Sequence, residues 1–206
     1  MHAREAGSSQ VRDLVARAKQ GDREAFDGLV ERYMPQVFNL ALRITGSREE
    51  AEDCVQEAFV RAFSALRKYR GEAAFSTWLY RIAVNVSNDA ARRLAGHPVS
   101  ASDLANPDAG DDAPDLERVG RPTKQQEPGP EDHLVARQRR HVILQAIHSL
   151  PEHHRTVVLL YDMQALSYEE IARITKTRVG TVKSRLNRAR LALKDLLAEH
   201  VELLRE

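Results

Sequence analysis

The chain has 206 residues, of which 30% are charged and 5% are aromatic, and 31 basic against 30 acidic side chains give a net charge of +1. The single cysteine, Cys54, excludes an internal disulfide and cannot by itself hold a structural zinc ion. No apolar run is long enough to cross a membrane, and the first ten residues lack the apolar stretch of a secretion signal. Abundant Leu, Ala, Arg and Glu favour helices, so we expect an all-α cytoplasmic protein without membrane insertion.

The charge is unevenly distributed along the chain. Residues 1–93 carry 15 basic and 13 acidic side chains, residues 94–132 carry 3 and 9, and residues 133–206 carry 13 and 8. The middle segment also contains six prolines and few large apolar residues, too little apolar surface to offset the entropy of ordering. We therefore predict two small helical domains, residues 1–95 and 131–206, joined by a flexible acidic linker over residues 96–130.

The N-terminal part predicts three amphipathic helices in succession. The first covers residues 10–20, and the second covers residues 23–44 with Asp22 as its cap and a kink or break at Pro35. Ser47 and Glu50 have the spacing of a capping box that opens the third helix. The third helix has apolar residues along one arc: Ala51, Cys54, Val55, Ala58, Phe59, Ala62, Phe63 and Leu66. Cys54 lies within this arc, so we expect it to be buried.

The opposite face of the third helix carries Asp53, Gln56, Glu57 and Val60. An acidic helix face is most often only a solvated surface. An apolar Val60 among the acidic residues fits a partner-binding surface slightly better. Both interpretations stay open at this point.

A basic loop and a fourth helix follow. The fourth helix begins near Phe75 and is predicted to bury the residues Trp78, Leu79, Ile82, Ala83, Val86 and Ala90. Its other face presents Thr77, Arg81, Asn85, Asn88 and Arg92. Aromatic platforms stack on unpaired bases and cationic groups follow phosphates, so this face beside Tyr69 suits contact with unstacked bases. The alternative is that Phe75 and Trp78 belong only to the core.

The C-terminal part predicts a helix-turn-helix unit. A helix over residues 131–149 is followed by one that has Pro151 in its first turn and continues to Met163. Ser167 and Glu170 form a second capping box, which opens a short helix over Tyr168–Thr175. A turn over residues 176–179 then leads to a long helix over residues 180–197, the order of a helix-turn-helix.

The long helix separates apolar from basic residues. Its apolar stripe is formed by Val182, Leu186, Ala189, Leu193, Leu196 and Leu197. Thr181, Ser184, Arg185 and Arg188 fall on the face away from this stripe, with Lys183 on its flank. Residues 173–194 contain eight basic side chains and no acidic one. A solvated helix normally mixes both signs, so this pattern predicts contact with DNA phosphates and base edges.

Three motifs in this order resemble the extracytoplasmic-function (ECF) sigma factors of bacterial RNA polymerase. The stretch DCVQEAFVRAF resembles the helix that docks on the polymerase clamp, and FSTWLYRIAVNVSNDAARR resembles the segment that opens and recognises the −10 promoter element. The stretch from SLPEHHRTVV to NRARLAL is similar to region 4, which recognises the −35 element. The resemblance covers residues 20–93 and 133–198 and leaves the linker unmatched.

The resemblance implies roles for individual residues. Contacts with the clamp helices of the largest core subunit are implied for Asp53, Gln56 and Glu57. Contacts with the −10 element are implied for Tyr69, Arg70, Phe75, Trp78, Arg81, Asn85, Asn88 and Arg92. Contacts with the −35 element are implied for Arg178, Thr181, Lys183, Ser184, Arg185 and Arg188. Core RNA polymerase (including the flap of its second-largest subunit), promoter DNA and an anti-sigma factor are the implied partners; no cofactor, metal or catalytic residue is implied.

Two other functional classes were weighed. A stand-alone helix-turn-helix regulator would bind operators by itself, usually as a dimer, and would not need the first two motifs. An enzyme is disfavoured because the sequence has no Gly-rich phosphate loop, and the adjacent His153 and His154 would point about 100° apart on a helix. One departure from the helix-turn-helix pattern is Lys176, at a turn position where many such units carry Gly and where a left-handed non-glycine residue costs about 1 kcal/mol or more. Either the turn is built differently, or Lys176 adds a phosphate contact.

Overall fold

The computed structural model describes residues 2–96 and 130–200, so the predicted linker falls almost wholly outside the described part of the chain. The chain divides into two compact units, residues 1–105 with 169–176 and residues 106–168 with 177–206. Throughout the described ranges every regular element is helical, which confirms the predicted all-α fold. None of the described helices is long and apolar enough to cross a membrane.

Eight α-helices follow one another along the described chain. Their bounds are α1 His2–Lys19, α2 Arg23–Thr45, α3 Arg48–Ala65, α4 Phe75–Leu94, α5 Pro130–Ser149, α6 Glu152–Val158, α7 Tyr168–Thr175 and α8 Val179–Leu197. A 3₁₀ turn, Leu66–Lys68, extends α3, and another, Ala198–His200, extends α8. A π-helical turn, Leu159–Met163, continues α6, so that helix reaches Met163 as the sequence predicted.

Asp22 begins α2 as predicted. Its side chain accepts a hydrogen bond from the Ala25 N–H at 3.0 Å, and the Arg17 guanidinium lies 2.8 Å from the same carboxylate. The hydrogen bond from the Ala25 N–H is the main cause that lowers the pKa of Asp22, and the hydrogen bond from Arg17 is the second. Of the predicted kink or break at Pro35, the break is wrong, because α2 runs unbroken to Thr45. The kink stays a prediction. Pro35 is exposed, so water can satisfy the backbone carbonyl that proline leaves without its helical donor.

Ser47 begins α3, also as predicted. Its Oγ accepts a hydrogen bond from the Glu50 N–H at 3.4 Å. The reciprocal half of the capping box differs, since the Ser47 N–H donates to Thr45 Oγ1 at 3.4 Å. The predicted box at Ser167 and Glu170 stays a prediction.

Helices α2, α3 and α4 form the core of the first unit. Large side chains in it are fully buried, among them Leu29, Leu40, Ile44 and Leu79. Close approach of the helices is permitted by alanines with no exposed surface: Ala41, Ala51, Ala58, Ala62, Ala83 and Ala90. All but one of the residues in the predicted arc of α3 and its extension are buried. The exception is Phe63, which is 47% exposed because it lies at the edge of the core, edge-to-face with Phe26 at 4.9 Å.

Cys54 is buried as predicted, with 3% of its surface exposed. Its Sγ donates to the Val86 carbonyl at 3.9 Å, and it packs with Ala41, Ala51 and Ala90. This burial raises the pKa of the Cys54 thiol.

Helix α4 is buried over a wider arc than predicted. Thr77, which the sequence analysis placed on the outward face, is buried. It lies in one helical stripe with Tyr80, Val84 and Ser87, all of which are buried. Trp78 and Ile82, predicted to be buried, are only half-buried, because the packed arc is rotated away from them.

The second unit is built around α6 and α8. Val157, Leu159, Leu160 and Val182 are fully or almost fully buried. Pro151 lies immediately before α6, at its N-cap, instead of inside the first turn. Leu196 of the predicted apolar stripe is exposed, because it lies in the last turn of α8 where the core ends.

The turn before α8 keeps the left-handed conformation at Lys176, so it is not built differently. Lys176 has a φ of 54°, a conformation that glycine adopts at no steric cost. Helix α8 then begins at Val179, one residue earlier than predicted, with Arg178 extended at its N-cap. The left-handed backbone conformation of Lys176, which costs about 1 kcal/mol, is therefore tolerated in the turn that sets the direction of α8.

The burial of Cys54 predicts slow alkylation of the folded protein. Iodoacetamide attacks the thiolate, and burial both raises the thiol pKa and blocks access. We expect labelling at pH 8 to be at least about tenfold slower than in denaturant, measured by mass spectrometry. In the native protein, the rate of labelling should rise only above the pH at which an ordinary thiol ionises.

The matched control is a Cys54→Ala, Ser64→Cys variant, which moves the thiol to an exposed position on α3. That variant should react at the rate of an unfolded chain. Equal rates for native and denatured wild-type protein would contradict the burial of Cys54.

Candidate nucleic-acid and partner-binding surfaces

The outward side of α3 forms an acidic face, which we define as Asp53, Gln56, Glu57 and Val60. All four are exposed, and Val60 exposes 61% of its surface. Glu57 accepts a hydrogen bond from Arg61 Nε at 2.6 Å, but this pair is solvent-exposed and contributes little to stability. The structure thus brings the three residues predicted to bind polymerase onto one continuous surface.

A groove of about 690 Å³ runs along the acidic face and extends to α4. Four carboxylates line it, those of Glu50, Asp53, Glu57 and Asp89, together with the guanidinium groups of Arg61 and Arg93. Exposed apolar surface at Val60 lies among these charges. Such a surface fits a partner helix with basic side chains around an apolar contact.

An aromatic cluster lies where the connection between α3 and α4 meets the first turn of α4. Its members are Tyr33, Tyr69, Phe75 and Trp78, with ring centroids 5.1 Å apart for Tyr69 and Trp78 and 5.6 Å apart for Phe75 and Trp78. Tyr33 joins from α2, 5.5 Å from Phe75. Offset and tilted pairs of this kind are favourable contacts beyond the area that they bury.

The members of the aromatic cluster differ in what they can offer a ligand. Phe75 is 5% exposed and forms the base of the cluster, so its ring presents almost no surface to a nucleobase. Tyr69 and Trp78 are half-buried, with part of each ring accessible. Burial raises the pKa of Tyr69, so its hydroxyl stays protonated at neutral pH. Of the predicted aromatic contacts, Tyr69 and Trp78 therefore keep surface that a ligand can reach, whereas Phe75 packs beneath them.

The predicted polar contacts lie along one stripe of α4, beginning at Trp78. Arg81 and Asn85 are exposed, while Asn88 and Arg92 are half-buried. The Arg92 guanidinium lies 3.5 Å from Asp89. Arg70, in the loop before α4, has a highly exposed side chain 4.0 Å from Glu72. Arg70 and Arg81 are thus accessible for phosphate contact.

Two residues of this region, Tyr33 and Lys19, were not predicted from the sequence. Tyr33 belongs to the aromatic cluster, and Lys19 Nζ donates to the Tyr69 carbonyl at 2.8 Å. Both come from helices far from the loop in sequence. No local motif could have linked them to it.

In the second unit, α8 presents part of its predicted DNA-binding set. Arg178, Lys183 and Arg188 are exposed and Thr181 is half-buried. Ser184 and Arg185 differ from the prediction, since they are 7% and 8% exposed. Ser184 Oγ donates back to the Thr181 carbonyl at 3.1 Å, which draws its short side chain onto the helix.

Arg185 is buried because it borders the apolar stripe of α8. It lies three residues after Val182 and four before Ala189, both fully buried. On a helix these spacings place the three residues side by side. The sequence assignment of Arg185 to the outward face was therefore wrong for this conformation.

Stacked aromatic rings hold two of the basic side chains of the second unit. Lys183 Nζ lies 5.4 Å above the ring of Tyr168, which stacks on Tyr161 at 5.1 Å. Arg190 covers Tyr161 at 5.1 Å and binds Asp162 at 2.9 Å. Cation–π contacts and this ion pair limit the rotamers of the long basic side chains.

Comparison with known proteins identifies both units. The model of Sigma-70 region 2 matches residues 29–97, and that of Sigma-70 region 4 matches residues 140–193. The region 2 match covers the aromatic cluster and the acidic face. The region 4 match covers the helix-turn-helix segment. Residues 98–139 lie between the two matched ranges.

Curated relatives match most of the chain. It is 39% identical to the ECF RNA polymerase sigma-E factor of Haemophilus influenzae, over 86% of this chain and 89% of that protein. It is 37% identical to the RNA polymerase sigma-H factor of Pseudomonas aeruginosa, over 91% and 94%. For the ECF RNA polymerase sigma-E factor of Escherichia coli K12 the identity is 38%, over 90% and 94%.

Two solved structures share the fold. CnrH, in complex with the cytosolic domain of CnrY, has a TM-score of 0.66 at 24% identity, covering 92% of this chain and 98% of that chain. The sigma factor RpoE of Bartonella quintana, in complex with the anti-sigma factor NepR, has a TM-score of 0.58 at 22% identity, covering 84% and 96%.

The first two motifs, the two family matches and the near full-length relatives exclude the alternative of a stand-alone helix-turn-helix regulator. The chain belongs to the ECF sigma factors, with Sigma-70 region 2 in its N-terminal part and region 4 in its C-terminal part.

Proposed function

We propose that this protein binds core RNA polymerase in the cytoplasm and directs it to promoters by recognising a −10 and a −35 element. The observation that supports this proposal is that one chain carries two surfaces of different chemistry, one aromatic and one basic. Accessible Tyr69 and Trp78 suit unpaired bases, and the basic side of α8 suits a duplex groove. We assign the protein no catalytic role, cofactor or metal.

The acidic face is the proposed contact with the clamp helices of the largest core subunit. Asp53 and Glu57 are exposed one turn apart, with Val60 accessible beside them. Complementary charge would steer and orient the encounter, while the apolar contact would hold the complex. The flap of the second-largest subunit is the proposed partner of the second unit.

Promoter opening is proposed to proceed by capture of a flipped base. Extrusion of a base costs a few kcal/mol in lost stacking and pairing. Stacking against Tyr69 and Trp78 returns part of this energy, and Arg70 and Arg81 would neutralise nearby phosphates. The opened state is then favoured without nucleotide hydrolysis by this chain.

The second unit is proposed to bind the −35 element through the exposed residues of α8. Arg188 and Lys183 would contact base edges or phosphates, and Arg178 lies at the start of the same helix. Ser184 and Arg185 can take part only if they become accessible in the complex, because both are buried in this conformation.

The proposed domains, residues 1–95 and 131–206, act together through the tether over residues 96–130. Linking two weak DNA-binding units raises their joint affinity through effective concentration. An anti-sigma factor is a further proposed partner, since a protein of similar fold has been solved with one bound.

The assignment of the acidic face predicts a specific loss of core binding. The double substitution Asp53→Asn, Glu57→Gln removes two exposed carboxylates one turn apart without disturbing the core. We expect the affinity for core polymerase to fall at least about tenfold, because interfacial charge pairs are lost. Fluorescence anisotropy of labelled protein titrated with core measures this change.

Asp27→Asn, Glu31→Gln is a matched control, since it removes two exposed carboxylates at the same spacing from α2. It should bind core like wild type. Normal binding by the Asp53, Glu57 variant would show that the clamp contact lies elsewhere.

The assignment of α8 predicts a loss of −35 recognition. Arg188→Ala should weaken holoenzyme binding to a promoter about tenfold, because one charged contact to DNA is removed. A phosphate contact would lower the salt slope by about 1 for every sequence, and a base contact would relax preference at one position. Filter binding to promoter variants at several salt concentrations distinguishes these results.

Lys194→Ala, an exposed change near the end of the same helix, is the charge-matched control and should have a small effect. Unchanged promoter preference and affinity in Arg188→Ala would contradict the assignment of α8.

A further inference from the structure

The loop that carries Tyr69 is attached to α1 by a charged hydrogen bond. Lys19, the last residue of α1, donates from Nζ to the Tyr69 carbonyl at 2.8 Å, across 50 positions of sequence. Lys19 is itself half-buried. A charged donor to a carbonyl that is partly shielded from water makes a stronger bond than a neutral donor.

A second bond closes the loop on itself. Tyr69 Oη donates to the Ala73 carbonyl at 2.6 Å, so the hydroxyl bridges the exposed tip formed by residues 70–72. Gly71 in this tip has a φ of 78°, which only glycine adopts readily, and thus permits the tight reversal. Lys19 and Tyr69 therefore fix both the start and the closure of the loop.

These bonds determine where the accessible aromatic rings lie. The Tyr69 ring contacts Trp78 at 5.1 Å and Phe75 at 6.0 Å. Movement of the Tyr69 backbone would displace its ring and change the surroundings of the Trp78 indole. The bond from Lys19 thus acts on both rings that were assigned to base stacking.

We propose that Lys19 is a positioning residue for strand opening, holding the Tyr69 loop in its base-accepting conformation before DNA arrives. This inference rests on the proposed function of the aromatic cluster. Lys19 lies outside residues 29–97, the range matched by Sigma-70 region 2, so the inference gives α1 a part in promoter opening. The physical reason is preorganisation: a loop ordered in advance does not lose conformational freedom when a base binds.

The test replaces Lys19 with Met, which keeps an unbranched chain and removes the donor, and with Arg, which restores a charged donor. Arg23→Met is the charge control, because Arg23 is exposed at the start of α2. Tyr69→Phe keeps the aromatic ring and removes only the loop-closing hydroxyl. Holoenzyme is assembled with each variant, and promoter opening is followed through permanganate reactivity of −10 thymines.

We expect Lys19→Met to lower the rate of opening about three- to tenfold, the effect of losing one hydrogen bond. Core affinity and the initial binding of duplex promoter should stay within about twofold of wild type. Affinity for a single-stranded −10 oligonucleotide should fall by the same factor as the rate of opening. In the variant the loop becomes ordered only when the base binds, and the entropy cost of that ordering weakens binding. Lys19→Arg should recover most of the rate, Arg23→Met should match wild type, and Tyr69→Phe should resemble Lys19→Met.

A direct readout uses the free protein. Trp78 is the single tryptophan of the chain, so acrylamide quenching of its fluorescence reports the order of the loop. Quenching should increase in Lys19→Met and return in Lys19→Arg. This measurement tests the loop independently of polymerase.

Two results would overturn the inference. One is a Lys19→Met variant with wild-type opening and wild-type quenching. The other is a parallel loss of thermal stability, core binding and opening, which would make Lys19 only a structural residue. If wild-type protein fails to bind core or open any promoter, the proposed function fails instead, and the quenching result still decides whether Lys19 orders the loop.

Discussion

The close packing of α2, α3 and α4 through alanine is the constraint on which the first unit depends. Ala41, Ala51, Ala58 and Ala90 have no exposed surface, so the three helices approach more closely than larger side chains would allow. Cys54 fills the same contact region, with its thiol against the Val86 carbonyl. A larger side chain at any of these positions would push the three helices apart. The groove beside the acidic face and the connection that carries the aromatic cluster both depend on that spacing.

The same helices therefore serve two surfaces of opposite character. The outward side of α3 is acidic and partly apolar, which suits a protein partner. The loop that follows α3 and the first turn of α4 are aromatic and basic, which suits unpaired DNA. Because one packed core carries both surfaces, its packing sets the positions of the acidic face and of the aromatic rings alike. The bond from Lys19 extends this rigid support to the loop, where the alanine contacts do not reach.

Much of this arrangement follows from sequence periodicity. The cap at Asp22, the start of α3 at Ser47 and the burial of Cys54 were all predicted and are observed. Each depends on residues close together in sequence, where local geometry decides the outcome. The acidic face was also predicted, since a helical wheel separates exposed from buried positions.

The errors occurred where long-range packing decides. Thr77 and Arg185 border a packed stripe, and the exact width of that stripe depends on neighbouring helices. Phe63 shows the opposite error: it was predicted to be buried but lies at the edge of the core and is half exposed. Tyr33 and Lys19 reach the loop from helices distant in sequence, so no motif could reveal them. Residue type alone also could not decide between a core and a base-contact role for Phe75, because it does not show which side of a ring is covered.

Run-off transcription with purified core RNA polymerase tests the central claim most directly. Core alone and core with this protein would transcribe the same pool of genomic promoter fragments, and the transcript starts would be sequenced. The account predicts new start sites that require the protein and share two upstream elements, with about the same spacing between them. A protein that binds duplex DNA by itself, does not associate with core and produces no new start site would contradict the account.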